Sequence, residues 1–136
     1  MISVRIARDS RGAIVGFEAT GHAMEGPHGR DIVCASVSAL LQSAVWGLEE
    51  HLDLRLRLET DQGRLSCRLS PGRDQARGKE AAAILETMVL GLSRIEEQYP
   101  GRLSMATVRS SEISSIRRKT HGRDYNRRRS VRRRKE

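Results

Sequence analysis

The sequence predicts an α+β domain: a two-layer mixed sheet with two helices on one face, in the order β-β-α-β-β-α-β, followed by a disordered basic tail. Three observations carry this expectation. Apolar and polar residues alternate in three short runs, as in half-buried strands, and two further short segments read as strands beside them. Two longer runs repeat their apolar residues at three- and four-residue steps, as in helices. The excess positive charge sits almost wholly in the last twenty residues. At 136 residues the chain holds one domain, which we place at residues 1–110, with the tail at 111–136.

The elements follow in order. Ile2, Val4 and Ile6 alternate with Ser3 and Arg5, Asp9-Ser10-Arg11-Gly12 makes a turn, and residues 13–20 return as the second strand. Residues 21–30, with Gly21, Gly26, Pro27 and Gly29, read as a mobile loop. Asp31 suits a helix N-cap, because its carboxylate accepts from unpaired first-turn amides. Val37, Leu41, Val45, Leu48 and Leu52 then mark a helix over 31–51. Leu54, Leu56 and Leu58 form a third strand. Asp61-Gln62-Gly63 turns into a fourth, with Leu65, Cys67 and Leu69 in one phase, and Pro71-Gly72 ends it. Ala81, Ile84, Leu85, Met88, Leu92, Ile95 and Tyr99 share one face of a second helix over 74–98. Pro100-Gly101 stops it, and residues 103–109 supply the last strand.

Charge separates the two parts of the chain. Residues 117–136 hold 11 Lys/Arg against 2 Asp/Glu, a net +9, so the preceding 116 residues carry −1 of the total +8. A basic fold with cations spread over its packed surface is excluded, and a neutral domain with a polyanion-seeking arm remains. No run of about 18 uninterrupted apolar residues predicts a membrane span, and the N-terminus opens as a strand rather than a secretion signal. Two cysteines are too few for a disulfide framework, so a reduced, cytoplasmic setting is expected.

The chemistry concentrates in Gly21-His22-Ala23-Met24-Glu25-Gly26-Pro27-His28-Gly29-Arg30-Asp31-Ile32-Val33-Cys34. This run places a histidine at a strand end, a glycine-rich connection, and a cysteine in the first turn of a helix. A thiolate there gains from the positive end of the helix dipole, and a nearby imidazole can take the thiol proton. The free amides of the same turn can meet an oxyanion. Asp31 opposes the thiolate by charge, yet caps the helix and can orient His22, and capping ranks first. Ser38 faces the same side one turn later. Against this stands the commoner role of a helical cysteine as a small core residue.

The run GHAMEGPHGRDIVCASVSALLQS closely resembles the ribosomal-processing cysteine protease (Prp) family, whose signature reads GHA, eight residues, DIVCA-x-VSAL. The resemblance spans the element order over about residues 1–110. It implies a Cys–His dyad that cleaves a short N-terminal extension from a large-subunit ribosomal protein, the twenty-seventh in the usual naming. Carried over by position, the nucleophile is Cys34 and the base His22, with Gly21, Asp31 and Ser38 supporting the site. It also implies a homodimer and a mobile active-site loop; no cofactor or metal is expected. Two features depart from the family: the loop Met24–His28 lacks the aromatic residues relatives often carry there, and the Arg-rich tail is no part of the pattern. Ser36 stands where alanine is common, a small change.

The remaining candidates rank lower. His28, between Pro27 and Gly29, competes with His22 as base but lacks the strand-end anchorage. His51 ends helix one, where it complements the dipole, and His121 belongs to the tail. Cys67 shares the inward phase of its strand. A zinc site from His22, His28, Cys34 and Cys67 fits no known ligand spacing. The tail's eleven cations suit phosphate binding by counterion release, hence RNA or ribosome contact. The rival reading is therefore a non-catalytic ribosome- or RNA-associated protein acting through that tail.

Overall fold

The computed structural model describes residues 1–21, 32–61, 63–70 and 77–113. Within them lie strands β1 (Ile2–Arg8) and β2 (Ile14–Thr20), helix α1 (Ile32–Trp46) with a π-helical turn (Gly47–His51), strands β3 (Leu56–Asp61) and β4 (Arg64–Leu69), helix α2 (Gly78–Gln98) and strand β5 (Leu103–Arg109). The expected loop at 22–30, the Pro71-Gly72 break and the tail beyond Ile113 lie outside the described residues.

The β1–β2 turn is built by Asp9, whose carboxylate accepts from the N–H groups of Arg11 (2.8 Å) and Ala13 (3.0 Å). The sheet order is β3-β4-β2-β1-β5, with β5 parallel to β1 and every other pairing antiparallel. Strand β3 therefore runs with β2, and β5 with β4, so each helix is a crossover between parallel strands. The two crossovers start from oppositely directed strands and travel in opposite directions across the sheet. Right-handed connections then put both helices on the same face. The two-layer architecture follows from the order.

That covered face is a set of aligned rows. Ile6, Phe17, Cys67 and Leu58 lie opposite one another across four strands, as do Val4, Ala19, Leu65 and Thr60. Val37, Leu41 and Leu48 from the first helical segment and Leu85, Met88 and Leu92 from α2 complete the core. Phe17 is wholly buried at its centre, and its truncation to Ala would cost about 3–5 kcal/mol. The helices meet at Gly91, where an added Cβ would sit 3.0 Å from the Leu40 side chain. Segment Ile32–His51 is long and apolar enough to cross a membrane by length and mean hydropathy, although polar residues interrupt its apolar run. Here it forms the core helix, one stripe buried and Gln42, Ser43 and Glu50 exposed.

Two boundaries differ from the sequence expectation. The helix expected to run to residue 51 gives way after Trp46 to the π-turn, where the Leu52 N–H donates to the Gly47 carbonyl at 3.3 Å. Asp53 then adopts a left-handed φ of 54°, and the buried Leu54 donates to the Leu48 carbonyl. Leu54 thus belongs to the helix exit, and the third strand, expected from 54, starts at Leu56. At the other end packing continues to Ile113, past the boundary read from composition. Arg68 donates to the Ser110 carbonyl at 2.7 Å and Arg5 to that of Glu112 at 2.9 Å. Both arginines point away from the helices, so residues 110–113 lie across the helix-free face, with Ile113 2% exposed.

Candidate active site

Strand β2 delivers the chain to the site. Its last residue, Thr20, is paired on both sides, with Ser3 of β1 and Arg64 of β4. Two residues earlier, Glu18 faces away from the helices and accepts from Arg64 at 2.9 Å, with Arg5 at 3.8 Å, its side chain 8% exposed. Alternation marks Glu18 merely as a polar strand position. Its bracing by cations from two neighbouring strands depends on a strand order that the sequence does not display. Gly21 follows with φ +75°, and a Cβ there would drive into the carbonyl oxygen of Met1. Thr20 is therefore held by strand pairing on both sides and Gly21 passes close to the Met1 backbone, an approach that glycine permits.

The chain re-enters the described structure at α1. Cys34 is its third residue, half-buried against the core. The N–H groups of this turn have no intrahelical acceptor, and no acidic residue lies within the first turn of α1 itself. Ser38, one turn on, is likewise half-buried. Ser36 donates to the Ile32 carbonyl at 2.7 Å, which occupies its hydroxyl within the helix. Of the five site residues expected from sequence, Gly21, Cys34 and Ser38 are thus placed at a strand end and along one helix start. His22 and Asp31 lie outside the described residues, as does His28.

The second cysteine is chemically different. Cys67 is wholly buried on the inner face of β4, in the phase expected from sequence. Burial, with a smaller push from the charge of Glu49, raises its thiol from the ordinary 9.0 to about 12. It stays protonated and out of reach of any substrate. Neither cysteine is in a disulfide. A thiol that reaches solvent at a helix start, beside backbone N–H groups with no intrahelical acceptor, has the arrangement needed for attack on a carbonyl followed by oxyanion stabilisation.

The family model for cysteine protease Prp matches residues 1–104. The chain belongs to the Prp family of cysteine proteases. The ribosomal processing cysteine protease Prp of Bacillus subtilis is 33% identical over 113 residues, covering 79% of this chain and 97% of the Bacillus one. Staphylococcus aureus Prp is 35% identical over 103 residues, covering 73% of this chain and 92% of its own. A crystal structure of S. aureus Prp in complex with a covalently linked product peptide superposes with a TM-score of 0.69 at 31% identity, covering 79% of this chain and all of the other. The expected family and the mixed α+β fold are both borne out. The protein is a Prp-type cysteine protease, a hydrolase of peptide bonds.

Proposed function

We propose that the protein is the cytoplasmic endopeptidase that removes the N-terminal extension of a large-subunit ribosomal protein, the twenty-seventh, with Cys34 as nucleophile and His22 as base. The contrast between the two cysteines carries this reading: Cys34 reaches solvent at a helix start while Cys67 is sealed in the core. The relatives' description as ribosomal processing proteases, and the S. aureus enzyme's complex with a substrate peptide, support the substrate class. In this mechanism His22 takes the Cys34 proton and the thiolate attacks the scissile carbonyl. First-turn amides of α1 hold the oxyanion. Collapse breaks the C–N bond as the His22 imidazolium protonates the leaving amine. Water, deprotonated by His22, then attacks the thioester carbonyl, releasing the acid and restoring the thiol. Gly21 sets where His22 begins, Asp31 caps the helix, and Ser38 lines the same side.

The reading extends to partners. The protein works as a homodimer, and its Arg-rich tail, net +9 over residues 117–136, holds it to ribosomal RNA by phosphate neutralisation. The test is to incubate the protein with the extended ribosomal protein of its own organism and sequence the new N-terminus. A single cut that removes the extension, lost in Cys34→Ala, is expected. An intact substrate would contradict the reading. For the tail, a chain ending at Ser115 should cleave free substrate at an unchanged rate yet bind ribosomes poorly at low salt. Equal ribosome binding by both chains would remove the anchoring role.

A further inference from the structure

The two edges of the sheet are finished differently. In β5, the outer edge on one side, the backbone groups of Leu103, Met105, Thr107 and Arg109 point away from β1. Two of those outward N–H groups are taken by carboxylates: Met105 donates to Glu96 of α2 at 2.6 Å, and Arg109 to Glu112 at 2.9 Å. Such capping closes an edge to further strands. In β3, the opposite edge, the Ser70 N–H donates to the Arg55 carbonyl, so Arg55, Arg57, Glu59 and Asp61 turn their backbone groups to β4. Leu56, Leu58 and Thr60 turn theirs outward. No partner for these groups is present among the described residues.

The side chains of this open edge form a charge palindrome: Arg55-Leu56-Arg57-Leu58-Glu59-Thr60-Asp61. Arg55, Arg57 and Glu59 are exposed on the helix-free side and make no ion pair within the described residues. Placed antiparallel to a copy of itself about Leu58, the strand sets Leu58 against Leu58, Leu56 against Thr60, Arg57 against Glu59 and Arg55 against Asp61. The outward backbone groups then fall at the hydrogen-bonding positions. The charged residues fall at the non-hydrogen-bonded positions, where opposing side chains are closest. Registers centred on Arg57 or Glu59 put like charges face to face and are disfavoured.

We infer that β3 is the docking edge for a second copy of this chain, joined about Leu58 into one continuous sheet with all four helices on the same face. This rests on the homodimer proposed above and assigns its interface. The Leu56 and Leu58 side chains, half-buried in one copy, would extend the core row from one subunit to the next. Because both edges of the combined sheet would be β5, the dimer would end on strands already closed by Glu96 and Glu112, and assembly would stop at two.

Sedimentation equilibrium of the full chain tests the interface, with peptide cleavage followed in parallel. Arg57→Glu places two like-charge pairs across the two-fold, and Glu59→Arg does the same. Each should raise the dimer dissociation constant about tenfold or more. The double swap Arg57→Glu/Glu59→Arg restores opposite charges at both positions and should restore the dimer, while high salt should weaken the wild type. A wild-type dimer unmoved by either single substitution would overturn the β3 interface while leaving the homodimer standing. Single variants that dissociate without rescue by the double swap would overturn the register. A wild-type protein that cleaves its substrate as a monomer would overturn both the dimer and this interface, with the protease assignment intact.

Discussion

Gly21→Ala is the sharpest probe of how the fold holds the segment proposed to carry His22. Gly21 has φ +75°, and its missing Cβ would fall on the Met1 carbonyl oxygen, a backbone atom of the peptide bond that leads into β1. Gly12 has a similar φ of +84° but nothing within 4 Å of the added atom. Both substitutions incur the left-handed penalty of roughly 1–2 kcal/mol. Gly21→Ala adds an overpacking cost of roughly 1–3 kcal/mol, so it should lose about 2–5 kcal/mol in denaturant unfolding. Relief of the clash must displace the junction leading into His22. A shift of about 1 Å in a reacting group costs on the order of 100-fold in rate, and kcat/KM on an extension peptide should fall by that much. Gly12→Ala should keep wild-type kcat/KM. If Gly21→Ala were no less stable than Gly12→Ala and cleaved normally, the idea that the Met1 contact positions this junction would be wrong.

Other consequences are as direct. Cys34→Ala should abolish cleavage and leave the melting temperature nearly unchanged, whereas Cys67→Ala should retain turnover and lose about 1 kcal/mol from the small void it leaves. The Cys67 thiol, pushed up to about 12 in the fold against an ordinary 9.0, stabilises the folded state fully below pH 9 and progressively less above it, because there the unfolded chain releases the proton first. Its contribution should fall by about 1.4 kcal/mol per pH unit above 9, and Cys67→Ala should flatten the alkaline stability profile by that slope. Ile113→Ala should cost roughly 2–5 kcal/mol, so a chain ending at Ser110 should melt well below one ending at Ser115. Equal melting of those two chains would show that the strap across the helix-free face contributes nothing.

What the sequence disclosed depended on range. Val37, Leu41 and Leu48 announce a buried helical stripe because periodicity is local, and the same holds for Leu65, Cys67 and Leu69 in β4. The π-turn at Gly47–His51 is not legible, since its bond from Leu52 to Gly47 competes with an ordinary helical one on equal local terms. Leu54 misled for a related reason: its alternation with Leu56 continues the strand phase, although its amide is spent on the helix exit. Pairings such as β5 beside β1, and the Arg5–Glu18–Arg64 cluster, join residues far apart in the chain and need the fold itself. At the site, Cys34 as the third residue of a helix and Gly21 at a strand end were readable from spacing and glycine chemistry. The reason Gly21 tolerates no side chain was not, because Met1 reaches it only through the β1–β2 pairing.

Covalent trapping tests most directly whether Cys34 forms the bond to the substrate. An extension peptide ending in an aldehyde or chloromethyl ketone at the cleaved position captures the attacking thiol covalently, and intact mass followed by peptide mapping locates it. One adduct per chain is expected, on Cys34, absent in Cys34→Ala and unchanged in Cys67→Ala. An adduct on Cys67, or none from a protein that still cleaves the parent peptide, would contradict that role of Cys34.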